Sequence, residues 1–164
     1  RRSSELPMDT PGPPVASFPP MSPAARKKSF VTQLDVRFGD VDPAGIAYYP
    51  RIFEFIHQAT EALWDVHVGR RYFYLLSEER LGFPLVHSEV VFKHPLNFGD
   101  RPIVKIRAFK VGTSSLGLRY TFLVNDIECV DARMTVVCVK LDGLESIPIP
   151  EKYRVKFAEL LQDE

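Results

Sequence analysis

At 164 residues the chain has room for one domain of ordinary size around a single core. Hydrophobic residues make up 45% and charged residues 26%, the balance of a soluble globular protein. With 21 basic against 21 acidic residues the formal net charge is zero. No basic stripe points to nucleic acid, and no acidic arm is present. No apolar run approaches the roughly 20 residues that span a bilayer. Arg1 and Arg2 lack the apolar stretch of a secretory signal.

Residues 1–28 hold seven of the 14 prolines, from Pro7 to Pro23, and their few apolar residues follow no period. Proline donates no backbone hydrogen bond, so this segment reads as a disordered or polyproline-like tail outside a folded domain over 29–164. Arg26-Lys27-Lys28 marks its edge as a solvated linker. Residues 29–38 alternate as a half-buried strand. From Pro50 to His67, Ile52, Phe53, Ile56, Ala59 and Leu63 follow helical spacing, with Arg51, Glu54, His57, Gln58 and Glu61 largely opposite. Phe55 and Trp64 widen the apolar stripe, so this helix is expected to be covered on more than one side. Residues 70–80 predict a shorter helix ended by Gly82. Strand-like runs follow at 84–93, 101–112, 114–125 and 128–141, the last two separated by the turn signal Asn125-Asp126. A terminal helix is predicted over 150–162, with Pro150 early in it and Glu151 in its first turn. The order predicts an α+β architecture, an antiparallel sheet wrapped around one long helix, with a second subunit covering what remains.

Cys129 and Cys138, if they share one strand, lie nine residues or roughly 30 Å apart. A disulfide requires Cα atoms within about 7 Å, so two free thiols and a reducing, cytoplasmic compartment are expected.

The most informative stretch is FGDVDPAGIAYYPRIFEF, residues 38–55. It sets two carboxylates, a Pro-Ala-Gly turn and a helix start within a dozen residues. Asp42 reads either as a turn residue holding Asp-Pro-Ala-Gly, or as a carboxylate facing the positive end of a helix dipole with a substrate carbonyl between them. Asp40 lies one residue away, on the opposite side of an extended segment, and reads as structural. The pair lacks further ligands for a metal.

This stretch resembles the opening motif of the 4-hydroxybenzoyl-CoA thioesterase family of hotdog-fold proteins, and FKHPLNFGD, residues 92–100, resembles the family's segment between two strands. The resemblance covers about residues 30–155. It implies a hotdog fold, a sheet curled around the long helix, paired into a dimer and often into a tetramer of two dimers, with sites at the dimer interface. It implies hydrolysis of an acyl-CoA carrying a small aromatic or short to medium acyl group; with a carboxylate and a helix start but no metal-ligand cluster, no metal or organic cofactor is expected. It assigns Asp42 as the catalytic carboxylate, by direct attack or by activating water, and the backbone N–H of Tyr49 as the donor that polarises the carbonyl. That assignment is physically sensible. A thioester needs a nucleophile on one side and donors for the oxyanion on the other, and a helix N-terminus offers unpaired N–H groups. Pro50 has none, so the donor beside it comes from Tyr49 or from Arg51 onward. Gly45 lets the backbone bend closely around a ligand. Tyr48, Tyr49, Phe53 and residues of a second subunit are the expected acyl pocket.

One departure concerns the nucleotide. The family's basic cluster between its middle strands corresponds to Val111–Ser115 here, with Lys110 and Arg119 nearby. Lys93, Lys110 and Ser115 are the candidate carrier contacts, with Lys93 or Arg107 substituting for the cluster, or else the donor is an acyl carrier protein. Glu54 and Glu61 on the long helix are rival carboxylates. His57, His67, His87 and His94 raise a dehydratase, but no motif for that reaction surrounds them, and Ser114 and Ser115 lack a nucleophile-elbow context. A hotdog module that binds acyl thioesters without turnover is the alternative from another class; an intact Asp-Pro-Ala-Gly favours the enzyme.

Overall fold

The computed structural model describes residues 28–162; the tail expected over 1–28 therefore lies almost wholly outside the described residues. Strand β1 (Phe30–Gln33) leads through a 3-10 turn (Phe38–Asp40) to helix α1 (Tyr49–Ala62), which runs on into a π-helical segment (Leu63–Val68). Gly69, at φ +80, closes it with a left-handed cap. Then follow α2 (Tyr72–Ser77), β2 (Leu81–Gly82), β3 (Leu85–Phe92), β4 (Ile103–Val111), β5 (Ser115–Val124), β6 (Ile127–Val137), β7 (Val139–Lys140) and α3 (Glu151–Ala158).

Five strands form one antiparallel sheet in the order β1-β4-β5-β6-β3, and β2 pairs with β7 beside it. The alternation in β4, β5 and β6 decides which face meets the helix. Val104, Ile106, Leu118, Tyr120, Ala132 and Met134 are buried, and they pack against Ile52, Phe55, Ile56, Ala59 and Leu63 of α1. This is the layered arrangement that the periodicities predict. Strand β3 behaves differently. It pairs with β6 on one side, it ends the sheet, and every residue except Val90 is exposed, including Val86, Val91 and Phe92.

Four local features depart from the sequence reading. The first strand stops at Gln33, because its neighbour Pro102 has no N–H to continue the ladder; Leu34 N–H still donates to the Pro102 carbonyl at 3.1 Å. Helix α2 ends at Ser77 rather than Arg80. The N–H groups of Glu78 and Glu79 converge on the Tyr74 carbonyl, and Arg80 turns the chain at φ +54. Gly82 is not a helix stop but part of β2, where a Cβ would sit 2.7 Å from Leu141 Cδ2. The final strand breaks at Cys138, whose N–H turns to the Ser114 carbonyl at 2.8 Å. Cys129 and Cys138 are therefore not on one strand, and both are buried free thiols.

A bulge at Ala108/Lys110 leaves the Ala108 backbone paired to the C-terminal segment. Ala108 N–H donates to Leu160 O at 2.9 Å and Gln162 N–H to Ala108 O at 3.0 Å, so residues after α3 extend the sheet edge beyond Phe30, where β1 begins.

Candidate active site

Residues 41–47 fold back on themselves just before α1. Asp42 N–H donates to the Ile46 carbonyl at 3.0 Å and Gly45 N–H to the Asp42 carbonyl at 2.8 Å. Ala44 N–H donates to Asp42 Oδ1 at 2.8 Å, the side-chain bond expected of an aspartate opening a Pro-Ala-Gly turn. Gly45 sits at φ +81, a conformation that favours glycine. The loop is stapled to the segment after β3: Ala47 N–H donates to Leu96 O at 2.8 Å, and Phe98 N–H to Gly45 O at 3.2 Å. One Asp42 oxygen thus holds the turn, and Oδ2 takes no hydrogen bond from the described residues.

Helix α1 begins without a side-chain cap at Tyr48. Of its first three N–H groups, Pro50 lacks one and Arg51 donates back to the Tyr48 carbonyl at 2.9 Å. Among the described residues this leaves the Tyr49 N–H without an acceptor, at the positive end of the helix dipole.

Asp42, Tyr48 and Tyr49 line one cleft of about 390 Å³ together with Ile46, Ile52, Phe92, Lys93, His94 and Leu96. Lys93 Nζ bonds Glu128 Oε1 at 2.8 Å. His94 was not singled out for this cleft from sequence. Its Nδ1 lies 3.0 Å from the Glu128 carbonyl and donates to it, and among the described residues Nε2 has no hydrogen-bond partner. Its place directly after Lys93, where the chain leaves β3, was the available signal.

Phe53 lines a different cavity, about 220 Å³ between α1 and the sheet, with His57, Thr60, Trp64, Tyr72, Tyr120 and Met134 around it. Thr60 Oγ1 and the Tyr120 hydroxyl are 2.8 Å apart there. Both cavities are bordered by α1, β3 and β6. Phe92 and Val130 border the Asp42 cleft, and Leu85 and Val136 border the Phe53 cavity. Lys110 and Ser115 flank the β4–β5 turn, with Ser115 opposite Val137 at the far end of β6 from Val130; within one chain they do not join the Asp42 cleft.

The other carboxylates are engaged elsewhere. Asp40 Oδ2 accepts the Arg37 N–H at 2.8 Å and holds the 3-10 turn. Glu54 pairs with Arg51 at 2.5 Å and Glu61 with His57 at 3.2 Å, both half-exposed on α1. His67 Nε2 contacts the Lys156 carbonyl at 2.8 Å and ties the π-helical segment to α3. Among the described residues no group of three or more His, Cys, Asp or Glu is placed to hold a metal ion, and no helix is long and apolar enough to cross a membrane.

The profile of the thioesterase-like superfamily matches residues 36–157, from just after β1 to the last turn of α3. The chain belongs to that superfamily. Among its curated relatives, a 1,4-dihydroxy-2-naphthoyl-CoA hydrolase from Thermosynechococcus vestitus is 33% identical over 121 residues, covering 73% of this chain and 82% of the relative. One of the same description from Nostoc punctiforme is 26% identical, covering 76% and 83%. Solved structures agree. A gentisyl-coenzyme A thioesterase superposes with a TM-score of 0.72 at 26% identity, over 78% of this chain and 99% of that one. A thioesterase-superfamily protein from Jannaschia sp. CCS1 gives 0.78 at 26%, over 87% and 99%. The fold of this superfamily member is the hotdog fold, with the sheet wrapped around α1.

Proposed function

We propose that this chain is a thioester hydrolase acting on acyl-CoA, with a hydroxylated aromatic acyl group as its preferred substrate. The observation that carries the reading is that two residues lining one cleft each keep an open group: Asp42 has an oxygen that the turn leaves unused, and Tyr49 an N–H without an acceptor among the described residues. Tyr49 N–H polarises the thioester carbonyl and holds the developing oxyanion. Asp42 drives addition at the carbonyl carbon, by direct attack or by taking the proton of a water. Collapse of the adduct breaks the C–S bond, the CoA sulfur leaves and takes up a proton, and water supplies the second oxygen of the acid. The named activities of the naphthoyl-CoA and gentisyl-CoA relatives support the same chemistry.

The acyl preference rests on the Phe53 cavity. An apolar cavity of about 150 Å³ accepts a benzene ring, so about 220 Å³ accommodates a substituted ring. Thr60 Oγ1 also lies 2.8 Å from the Ile56 carbonyl and donates to it. Tyr120 therefore donates to Thr60 and keeps its own oxygen open as an acceptor for a phenolic hydroxyl.

Assembly joins the two cavities. The free edge of β3, with exposed Val86, Val91 and Phe92 beside exposed Tyr48 and Tyr49, supports pairing with a second copy. A two-fold axis sets these strands antiparallel, so the Leu85 end of one meets the Phe92 end of the other. The Phe53 cavity of the second copy then adjoins the Asp42 cleft. The working unit is a homodimer, and two dimers form the tetramer expected from the family resemblance. A thiol-release screen across aryl and aliphatic acyl-CoAs tests the function. The expected order puts hydroxyaryl-CoA highest in kcat/KM; a preference for aliphatic chains, or no turnover of any acyl-CoA, overturns the reading.

A further inference from the structure

The outer face of the sheet carries an arrangement that a stable fold does not require. Arg107 of β4 lies directly opposite Arg119 of β5, and Arg119 lies directly opposite Arg133 of β6. Their sequence neighbours Ile106, Ala108, Leu118, Tyr120, Ala132 and Met134 are buried, so all three guanidiniums stand on the face away from α1. Like charges directly opposite across strands are destabilising. Asp131 takes Arg119 as a bidentate pair at 2.7 Å for both bonds, Glu89 of β3 lies opposite Arg133, and Arg133 stacks 4.5 Å over the Phe109 ring. The positive charge left over gathers at the β4 end. Arg107 touches the neutral Gln162 amide at 3.4 Å, Lys105 stands two residues along the same face, and among the described residues no carboxylate forms an ion pair with either.

These side chains line a cleft of about 330 Å³ formed by Lys105, Arg107, Arg119, Thr121, Glu128 and Gln162. Its far wall, Glu128, is also the partner of Lys93, which lines the Asp42 cleft. The two clefts thus meet at one ion pair. Between Val111 and Ser115 the β4–β5 turn carries no cation, and Lys110 alone precedes it. A substrate with three phosphate groups on its nucleotide needs more charge than that.

We propose that the outer-face cleft at Lys105, Arg107 and Arg119 is the subsite for the phosphorylated nucleotide of coenzyme A, with the pantetheine arm passing the Lys93–Glu128 pair to reach Asp42. The Arg107 guanidinium fork matches phosphate oxygens bidentately, and Arg119, whose Nε–Nη2 fork Asp131 takes, adds a cation held in place before the ligand arrives. The Thr121 hydroxyl adds a donor. The inference rests on the acyl-CoA reading of the Asp42 cleft.

The test uses the full chain carrying Lys105→Gln with Arg107→Gln, and Arg80→Gln as a charge control at a distant exposed pair with Asp142. Substrates are an aryl-CoA and the same acyl group on pantetheine, and 3′-phosphoadenosine 5′-phosphate is titrated directly by calorimetry. The expected result is a fall of about tenfold or more in the CoA-over-pantetheine ratio of kcat/KM, carried by KM, with Arg80→Gln unchanged. Nucleotide binding is expected in the parent, weakened by salt and by the double variant. The calorimetric arm needs no turnover, so an inactive protein that still binds nucleotide through these residues sinks the hydrolase reading and keeps the subsite. An unchanged ratio with unchanged nucleotide binding overturns the subsite. A variant that loses turnover of an acyl-carrier-protein thioester while keeping aryl-CoA turnover also overturns it, and assigns the face to an acidic protein.

Discussion

The hydroxyls of Thr60 on α1 and Tyr120 on β5 meet at 2.8 Å inside the domain and join the helix to the sheet it is wrapped in. Thr60 passes its own proton to the Ile56 carbonyl one turn back, so Tyr120 is the donor to Thr60. The pair is asymmetric as a result. Tyr120→Phe removes a donor and leaves Thr60 satisfied, with an expected loss of about 1 kcal/mol. Thr60→Val strands a buried phenolic hydroxyl, with an expected loss of about 1–3 kcal/mol. Denaturant unfolding of the two variants measures the difference. A larger loss for Tyr120→Phe would contradict the direction of the bond.

The same residue shapes the alkaline limit of stability. Burial pushes the Tyr120 hydroxyl up from 10.0 to about 12 and the Cys138 thiol from 9.0 to about 11. In both groups the folded-state value is raised above the unfolded one. The stability they contribute is fully present below the unfolded values and is lost as pH rises through the folded ones. Unfolding free energy is expected to be level up to about pH 9 and to fall between pH 9 and 12. Cys138→Ala is expected to flatten the lower half of that decline, and chemical unfolding at half-unit pH steps checks it. A variant curve parallel to the parent across pH 9–11 would show that the thiol is not the cause.

Assembly can be challenged at the edge strand. Val91 of β3 is exposed in the single chain and lies on the edge proposed to pair with a second copy. Val91→Lys places its charge twice across a two-fold interface, so it is expected to shift sedimentation from dimer to monomer. Loss of turnover should accompany the shift, because the Phe53 cavity then no longer adjoins a second chain's Asp42. A monomeric variant with unimpaired turnover would mean that one chain suffices.

Much of this architecture was legible in the sequence, for reasons that differ by element. Helix α1 announced itself through Ile52, Ile56, Ala59 and Leu63, and the turn at 42–45 through residues whose local chemistry leaves little choice. What periodicity does not carry is register. Arg107, Arg119 and Arg133 form a row because two turns and the bulges in the β4–β5 and β5–β6 pairings set which residues face each other, and no local window contains that information. Phe53 and Tyr49 were grouped in one pocket because they are neighbours on one helix. One turn of α1 is enough to send them into different cavities. Gly82 read as a helix stop, yet its place is set by the approach of Leu141, 59 residues later in the chain.

In the proposed mechanism Asp42 has two separable roles, one oxygen for the turn and one for the thioester. Asp42→Asn separates them, since the amide oxygen can still accept the Ala44 N–H while charge and basicity are gone. The deciding measurement is kcat of Asp42→Asn on the best aryl-CoA, beside Asp40→Asn and Glu61→Gln, with thermal unfolding and sedimentation run on the same samples. Asp42→Asn is expected to stay folded and dimeric while its kcat falls at least about a hundredfold, roughly 3 kcal/mol of barrier, with both control variants near the parent. Near-parent kcat in Asp42→Asn together with a collapse in Glu61→Gln would contradict it and move the catalytic carboxylate onto α1.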